Sequence, residues 1–186
     1  MAVTGVVWRR QDEPGHEHAS LVEDDGGIVL RGVAVLAWRS QPCRLDYEVR
    51  CDASWVTRSA RVTGSVGARE IDARVECVAG EWTLDGQPVA SVRGAIDVDL
   101  NFSPSTNVLP IRRLALPIGT RATVQAAWLR FPSFTLEPLE QVYERIAEAR
   151  YRYASAGGAF KAEIDVDASG LPSRYGPWVA EARTPP

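Results

Sequence analysis

The chain has 186 residues, of which 45% are hydrophobic and 24% charged, and its formal net charge is −3. That length suits one domain that folds without disulfides or metal, and the composition excludes a disordered chain. The mildly acidic balance, with Arg scattered and Lys161 the only lysine, excludes an electrostatic footprint for nucleic acid.

Residues 1–10 lack the basic start and long apolar stretch of a secretory signal. The longest apolar run, 33–38, is too short to span a bilayer. A cytoplasmic protein without a membrane segment is therefore expected. His16 and His18 have no Cys nearby and read as solvated, so no metal site is expected. Glu17, between them, opens a strand and also reads as solvated. Residues 28–38 are apolar on both phases and read as a central strand covered on both sides, as do residues 122–131.

Alternation of period two marks strands at 45–52, 71–77, 96–102 and 160–167, each with one apolar and one polar face. Cys51 and Cys77 fall on apolar phases. With Cys43 they form an odd set without CxxC spacing, and so no disulfide framework. Turn signals stand at Asp25-Gly26-Gly27, Val66-Gly67, Asp85-Gly86, Ser103-Pro104-Ser105 and Ser169-Gly170. Asp85-Gly86, between Trp82-Thr83-Leu84 and Val89, is the strongest hairpin signal. Apolar residues at 139, 142, 143, 146 and 147 predict a helix over 139–148. The tail Thr184-Pro185-Pro186 reads as frayed. Many short strands with regular turns predict a mainly β sandwich, roll or barrel.

Three groups of residues could carry chemistry. Asp97 and Asp99 share a strand face about 6.6–7 Å apart along the chain, a span compatible with an acid and base acting on a sugar. A solvated or Arg-paired face is the commoner use of that pattern. Next, two prolines bracket a loop that holds Thr106 and Asn107 and enters a strand with Arg112 and Arg113. Arg112 shares its phase with Leu114 and Leu116, so it is expected to be the partly buried one. A pair between Asp97 or Asp99 and Arg112 or Arg113, across neighbouring strands, follows. Lastly, Trp55 ends an alternating strand, as a core aromatic or a platform for a sugar ring. No nucleophile elbow, P-loop, GxGxxG or HExxH is present, so no cofactor is expected.

The string from Ile96 through Asp97, Asp99, Asn101, Phe102, Pro104, Asn107 and Pro110 to Arg112-Arg113 resembles the signature of the putative glycolipid-binding family. This is a set of bacterial domains once catalogued as of unknown function. Trp8, Glu17, Gly32, Asp46-Tyr47, Cys51-Asp52, Trp55, Gly80-Glu81-Trp82 and Asp85-Gly86 come in the same order. So do Phe131-Pro132, Gln141, Tyr143, Tyr153, Phe160, Asp167, Gly170 and Tyr175. Ser103, Ser105 and Pro172 depart from the pattern.

The resemblance implies a spiral β-roll: a strongly curved antiparallel sheet like the lipoprotein-carrier half-barrels, with at most one or two short helices. It also implies that residues 139–148 are strand. The expected function is binding of a glycolipid or fatty-acyl ligand in an apolar groove. Trp55, Asp97, Asp99, Thr106, Asn107, Arg112 and Arg113 are the candidate contacts. Burying about ten methylenes at ~0.8 kcal/mol each would support roughly micromolar affinity. A ligand-free structural domain and an enzyme using Asp97 and Asp99 are the alternatives.

Overall fold

The computed structural model describes residues 2–24 and 26–184. The Asp25 end of the first turn signal and the Pro185-Pro186 tail lie outside the described residues. The first half of the chain forms β1 (Ala2–Arg10), β2 (Gly15–Asp24), β3 (Gly27–Trp38), β4 (Gln41–Cys51), β5 (Thr57–Val66), β6 (Arg69–Val78), β7 (Glu81–Leu84) and β8 (Gln87–Pro88). After a 3-10 turn, Ala90–Val92, comes β9 (Asp97–Leu100). A second 3-10 turn, Ser105–Asn107, runs directly into helix α1 (Val108–Leu114). The second half forms β10 (Arg121–Arg130), β11 (Thr135–Ala147), β12 (Arg150–Ser155), β13 (Phe160–Val166), β14 (Pro172–Tyr175) and β15 (Trp178–Arg183).

All fifteen strands make one sheet, ordered β8-β7-β6-β5-β4-β3-β2-β1-β15-β14-β13-β12-β11-β10-β9. The termini pair at its middle, through β1 and β15, and each half then meanders outward. Every pairing is antiparallel except β9 with β10. The sheet curls until its β9 edge is tied to the start of β5. There Thr57 donates its N–H to the Ile96 carbonyl, and its Oγ1 accepts from the Val98 N–H. The result is a strongly curved, open, mainly β roll. Among the described residues no helix is long and apolar enough to cross a membrane.

Period two sorts each strand into two faces. On β4, Cys43, Leu45, Tyr47, Val49 and Cys51 are buried, and Arg44 and Arg50 are exposed. All three cysteines are free and buried. Asp85-Gly86 forms the expected β7–β8 turn, with both residues at positive φ, as a two-residue hairpin loop needs. Many of the arginines lie on the outer face in cross-strand ion pairs, such as Arg31 with Glu48 and Arg150 with Asp165.

Three local expectations are corrected. Residues 139–147 belong to strand β11 instead of a helix, and Glu148 lies in the turn after it. Leu139, Gln141 and Tyr143 point inward, and the polar Gln141 breaks the apolar alternation that would have revealed the strand. The segment 28–38 is buried on one face only, and its Val35 is 57% exposed. Finally, the prolines do not bracket a loop entering a strand. Pro104 precedes the 3-10 turn, and Pro110 occupies the first turn of α1, where a missing N–H costs nothing.

Candidate functional site

Residues 102–111 are buried throughout, so this segment fills the mouth of the roll like a plug. Thr106 and Asn107 brace it from within. Thr106 Oγ1 accepts the Leu100 N–H at 3.3 Å, and Asn107 Nδ2 donates to the Pro104 carbonyl at 3.0 Å. Ala115, in a left-handed conformation, ends α1 by donating its N–H to the Ile111 carbonyl. The side chains of β1 to β7 pack against this plug as a continuous core.

An open space borders the other half. It is a cavity of about 540 Å³ between the plug and strands β10 to β15. Trp38, Trp128 and Trp178 contribute to its walls, with Phe131, Phe160 and Tyr175. Its polar groups come mainly from the plug and β9: Asp99, Asn101, Ser103 and Asn107.

The polar floor is tightly connected. Gln141 Nε2 donates to Asp99 Oδ2 at 2.6 Å, and the Tyr143 hydroxyl donates to Asn107 Oδ1 at 2.9 Å. Burial pushes the Asp99 carboxyl up to about 6, with the Gln141 hydrogen bond opposing. Tyr153 and Tyr175, beside it, are raised by burial and then by neighbouring charge.

Below Ser103 lies a second polar group, which the sequence reading placed in solvent. Glu17 is 1% exposed. Its Oε1 lies 2.5 Å from the Tyr47 hydroxyl and 2.6 Å from Ser103 Oγ, and its Oε2 is buried without a partner. Ser105 Oγ bonds both Ser103 and Tyr47. Burial lifts the Glu17 carboxyl to about 8, against the pull of the Ser103 and Tyr47 hydrogen bonds. The signal was available: Glu17 shares its strand phase with Ala19 and Leu21, both buried.

The seven candidate contacts separate in space. Asp99 and Asn107 face the cavity. Asp97 is closed by Arg113, through bonds of 3.0 and 2.5 Å to its two oxygens. The expected Asp–Arg pair therefore exists, but it joins a strand to a helix. Arg113 is the more buried arginine, with side-chain exposure of 14% against 34% for Arg112. Helical geometry, rather than strand phase, sets which arginine turns inward. Arg112 lies 4.8 Å over the Trp55 ring and lines a separate open cleft with Arg145 and Glu148. Trp55 is itself buried.

The six tryptophans divide evenly. Trp8, Trp55 and Trp82 belong to the core, where Trp8 donates to the Pro172 carbonyl and Trp82 to that of Ala95. Trp38, Trp128 and Trp178 line the cavity, and the buried Trp128 Nε1 has no partner. Among the described residues no cluster of three His, Cys, Asp or Glu could hold a metal ion.

Comparison with known proteins agrees with this architecture. A solved structure of a DUF1089 family protein from Pseudomonas aeruginosa is 30% identical, with a TM-score of 0.76 over 90% of this chain and 91% of that one. A beta-barrel-like protein of domain of unknown function DUF1849 from Brucella abortus is 8% identical over 92% of this chain and 83% of that one, with a TM-score of 0.47. No curated protein matches the chain. The family model described as putative glycolipid-binding matches residues 5–180. The chain belongs to that putative glycolipid-binding family.

Proposed function

We propose that the chain is a binding protein for an amphiphile of the glycolipid class, held in the aromatic cavity. One observation carries this reading: a single cavity of about 540 Å³ combines aromatic walls with a carboxylate, an amide and a hydroxyl. That volume falls within the roughly 300–1,000 Å³ of small-molecule sites, which are mostly apolar with a few placed polar groups. Ring faces suit the C–H faces of a sugar and the start of an acyl chain. Asp99 and Asn107 offer acceptors to head-group hydroxyls. The family description supports the same ligand class. Thr106 braces the plug and Arg113 holds Asp97, while Arg112, over the Trp55 ring, lines the separate cleft. An acid–base role shared by Asp97 and Asp99 has less support, because Arg113 occupies Asp97.

Titration with octyl β-D-glucoside below its micelle concentration tests the proposal, with cavity tryptophan fluorescence as the readout. A saturable one-site change is expected, with sodium octanoate and free glucose binding more weakly. No saturable change with any of the three would sink the reading.

A further inference from the structure

Two carboxylates stand two residues apart on β9, and only one is neutralised. Asp97 meets the guanidinium of Arg113 in a two-pronged pair. Asp99 meets only the neutral amide of Gln141 and makes no ion pair among the described residues. Among the described residues Arg10 is the one cation on the cavity wall, and it is engaged by Asp12 and Glu13. With Glu13 and Asp99 also on the wall, the cavity carries net negative charge.

The rings beside Asp99 add a second bias. Tyr153, Phe160 and Tyr175 form a triangle with centroids 5.7, 6.0 and 6.0 Å apart, and all three line the cavity. A carboxylate taken out of water without a counter-charge is costly. An aromatic enclosure attracts a cation through the ring quadrupoles. Neutral hydroxyls would satisfy the hydrogen bonds of Asp99 but leave its charge uncompensated.

We infer that the head group selected by this cavity carries a protonated amine, as an amino sugar does, seated against Asp99 among the aromatic rings. The inference rests on the amphiphile-binding reading above. Arg113 plays for Asp97 the part that the ligand nitrogen plays for Asp99.

The test compares n-octylammonium, n-octanol and octyl β-D-glucoside on the full chain by calorimetry. The first two share the octyl chain and differ in the head, a charged ammonium against a neutral hydroxyl. Octylammonium is expected to bind at least about tenfold tighter than octanol, a difference of ~1.4 kcal/mol. In Asp99→Asn, with an unchanged near-ultraviolet circular dichroism spectrum, that advantage should disappear. Equal binding of octylammonium and octanol, with octyl glucoside still bound, overturns the inference and leaves the amphiphile reading standing. Binding of none of the three overturns both. Should Asp99→Asn fail to fold, the wild-type ratio alone decides.

Discussion

The phenolic hydroxyl of Tyr47 and Oε1 of Glu17 lie 2.5 Å apart, in a closed ring of hydrogen bonds inside the roll. The other links are Glu17 to Ser103 at 2.6 Å, Ser103 to Ser105 at 2.6 Å and Ser105 to Tyr47 at 2.7 Å. Four links need four protons, and the three hydroxyls supply three. The fourth proton belongs to the carboxyl itself, which agrees with its being lifted by burial to about 8 from 4.5.

The sign of the pH effect follows. Below about pH 4.5 the folded and unfolded chains both hold the proton. Between there and about pH 8 only the folded chain does, so stability falls as pH rises and then levels off. Asp99, lifted from 3.8 to about 6, adds a loss of the same sign at lower pH. Thermal melts between about pH 6.5 and 8.5 therefore isolate Glu17, and the melting temperature should drop by several degrees across that interval. Glu17→Gln should flatten the drop and melt higher than the wild type at the alkaline end. A flat wild-type profile would show that Glu17 is ionised throughout.

Gly32 makes this ring possible. It pairs with Tyr47 across β3 and β4, and the Tyr47 ring lies against it. A Cβ at Gly32 would stand 2.4 Å from the ring and 2.6 Å from the His18 carbonyl oxygen. Gly32→Ala must therefore tilt Tyr47 away from Glu17. The expected cost in urea denaturation is about 1–3 kcal/mol, typical of overpacking in a filled interior. Its melting profile should also lose part of the pH dependence, which a purely local clash would leave intact.

Strand identity was legible wherever an inward phase stayed apolar, as at Leu45, Tyr47 and Val49. It was hidden where a polar residue turned inward. Gln141 disguised β11 as a helix because its role is to hold Asp99, and Glu17 looked solvated because a lone carboxylate on a strand usually is. A pair between Asp97 or Asp99 and Arg112 or Arg113 was anticipated because a buried guanidinium needs a partner, although Arg112 was expected to be the buried one and the helix was not foreseen. Prolines near a helix start look like loop punctuation until the helix is seen. The cavity was illegible for a different reason: its walls come from β3 and β10 to β15, which only the curl of the sheet brings together. The tryptophans that resemble the family pattern, Trp8, Trp55 and Trp82, are core residues, and those on the cavity drew no notice in the sequence.

Arg113 and Asp97 should be strongly coupled. Asp97 is 1% exposed, and burial pushes its carboxyl up even against the guanidinium. Arg113→Met leaves an unpaired buried carboxylate and is expected to cost about 3–5 kcal/mol. The double variant Arg113→Met with Asp97→Asn should recover much of that loss, because no buried charge is then stranded. Denaturation of the two single variants and the double variant gives the coupling directly. Additive losses would mean that the two side chains act independently despite their contact.

Trp82 and Trp128 provide a matched contrast between a core tryptophan and a cavity tryptophan. Trp82 Nε1 donates to the Ala95 carbonyl at 3.0 Å, so Trp82→Phe strands a buried acceptor and should cost about 1–3 kcal/mol. Trp128 Nε1 is buried with nothing to bond. Trp128→Phe removes an unsatisfied donor, so it should leave stability unchanged or raise it slightly. Ligand binding should respond in the opposite order. Trp128 contributes to the cavity wall, so Trp128→Phe removes part of that wall and octyl β-D-glucoside should bind several-fold more weakly. Trp82→Phe should bind as the wild type does, once its lower stability is allowed for by measuring well below its melting temperature. Equal glucoside affinity in all three proteins would mean that Trp128 does not contact the ligand.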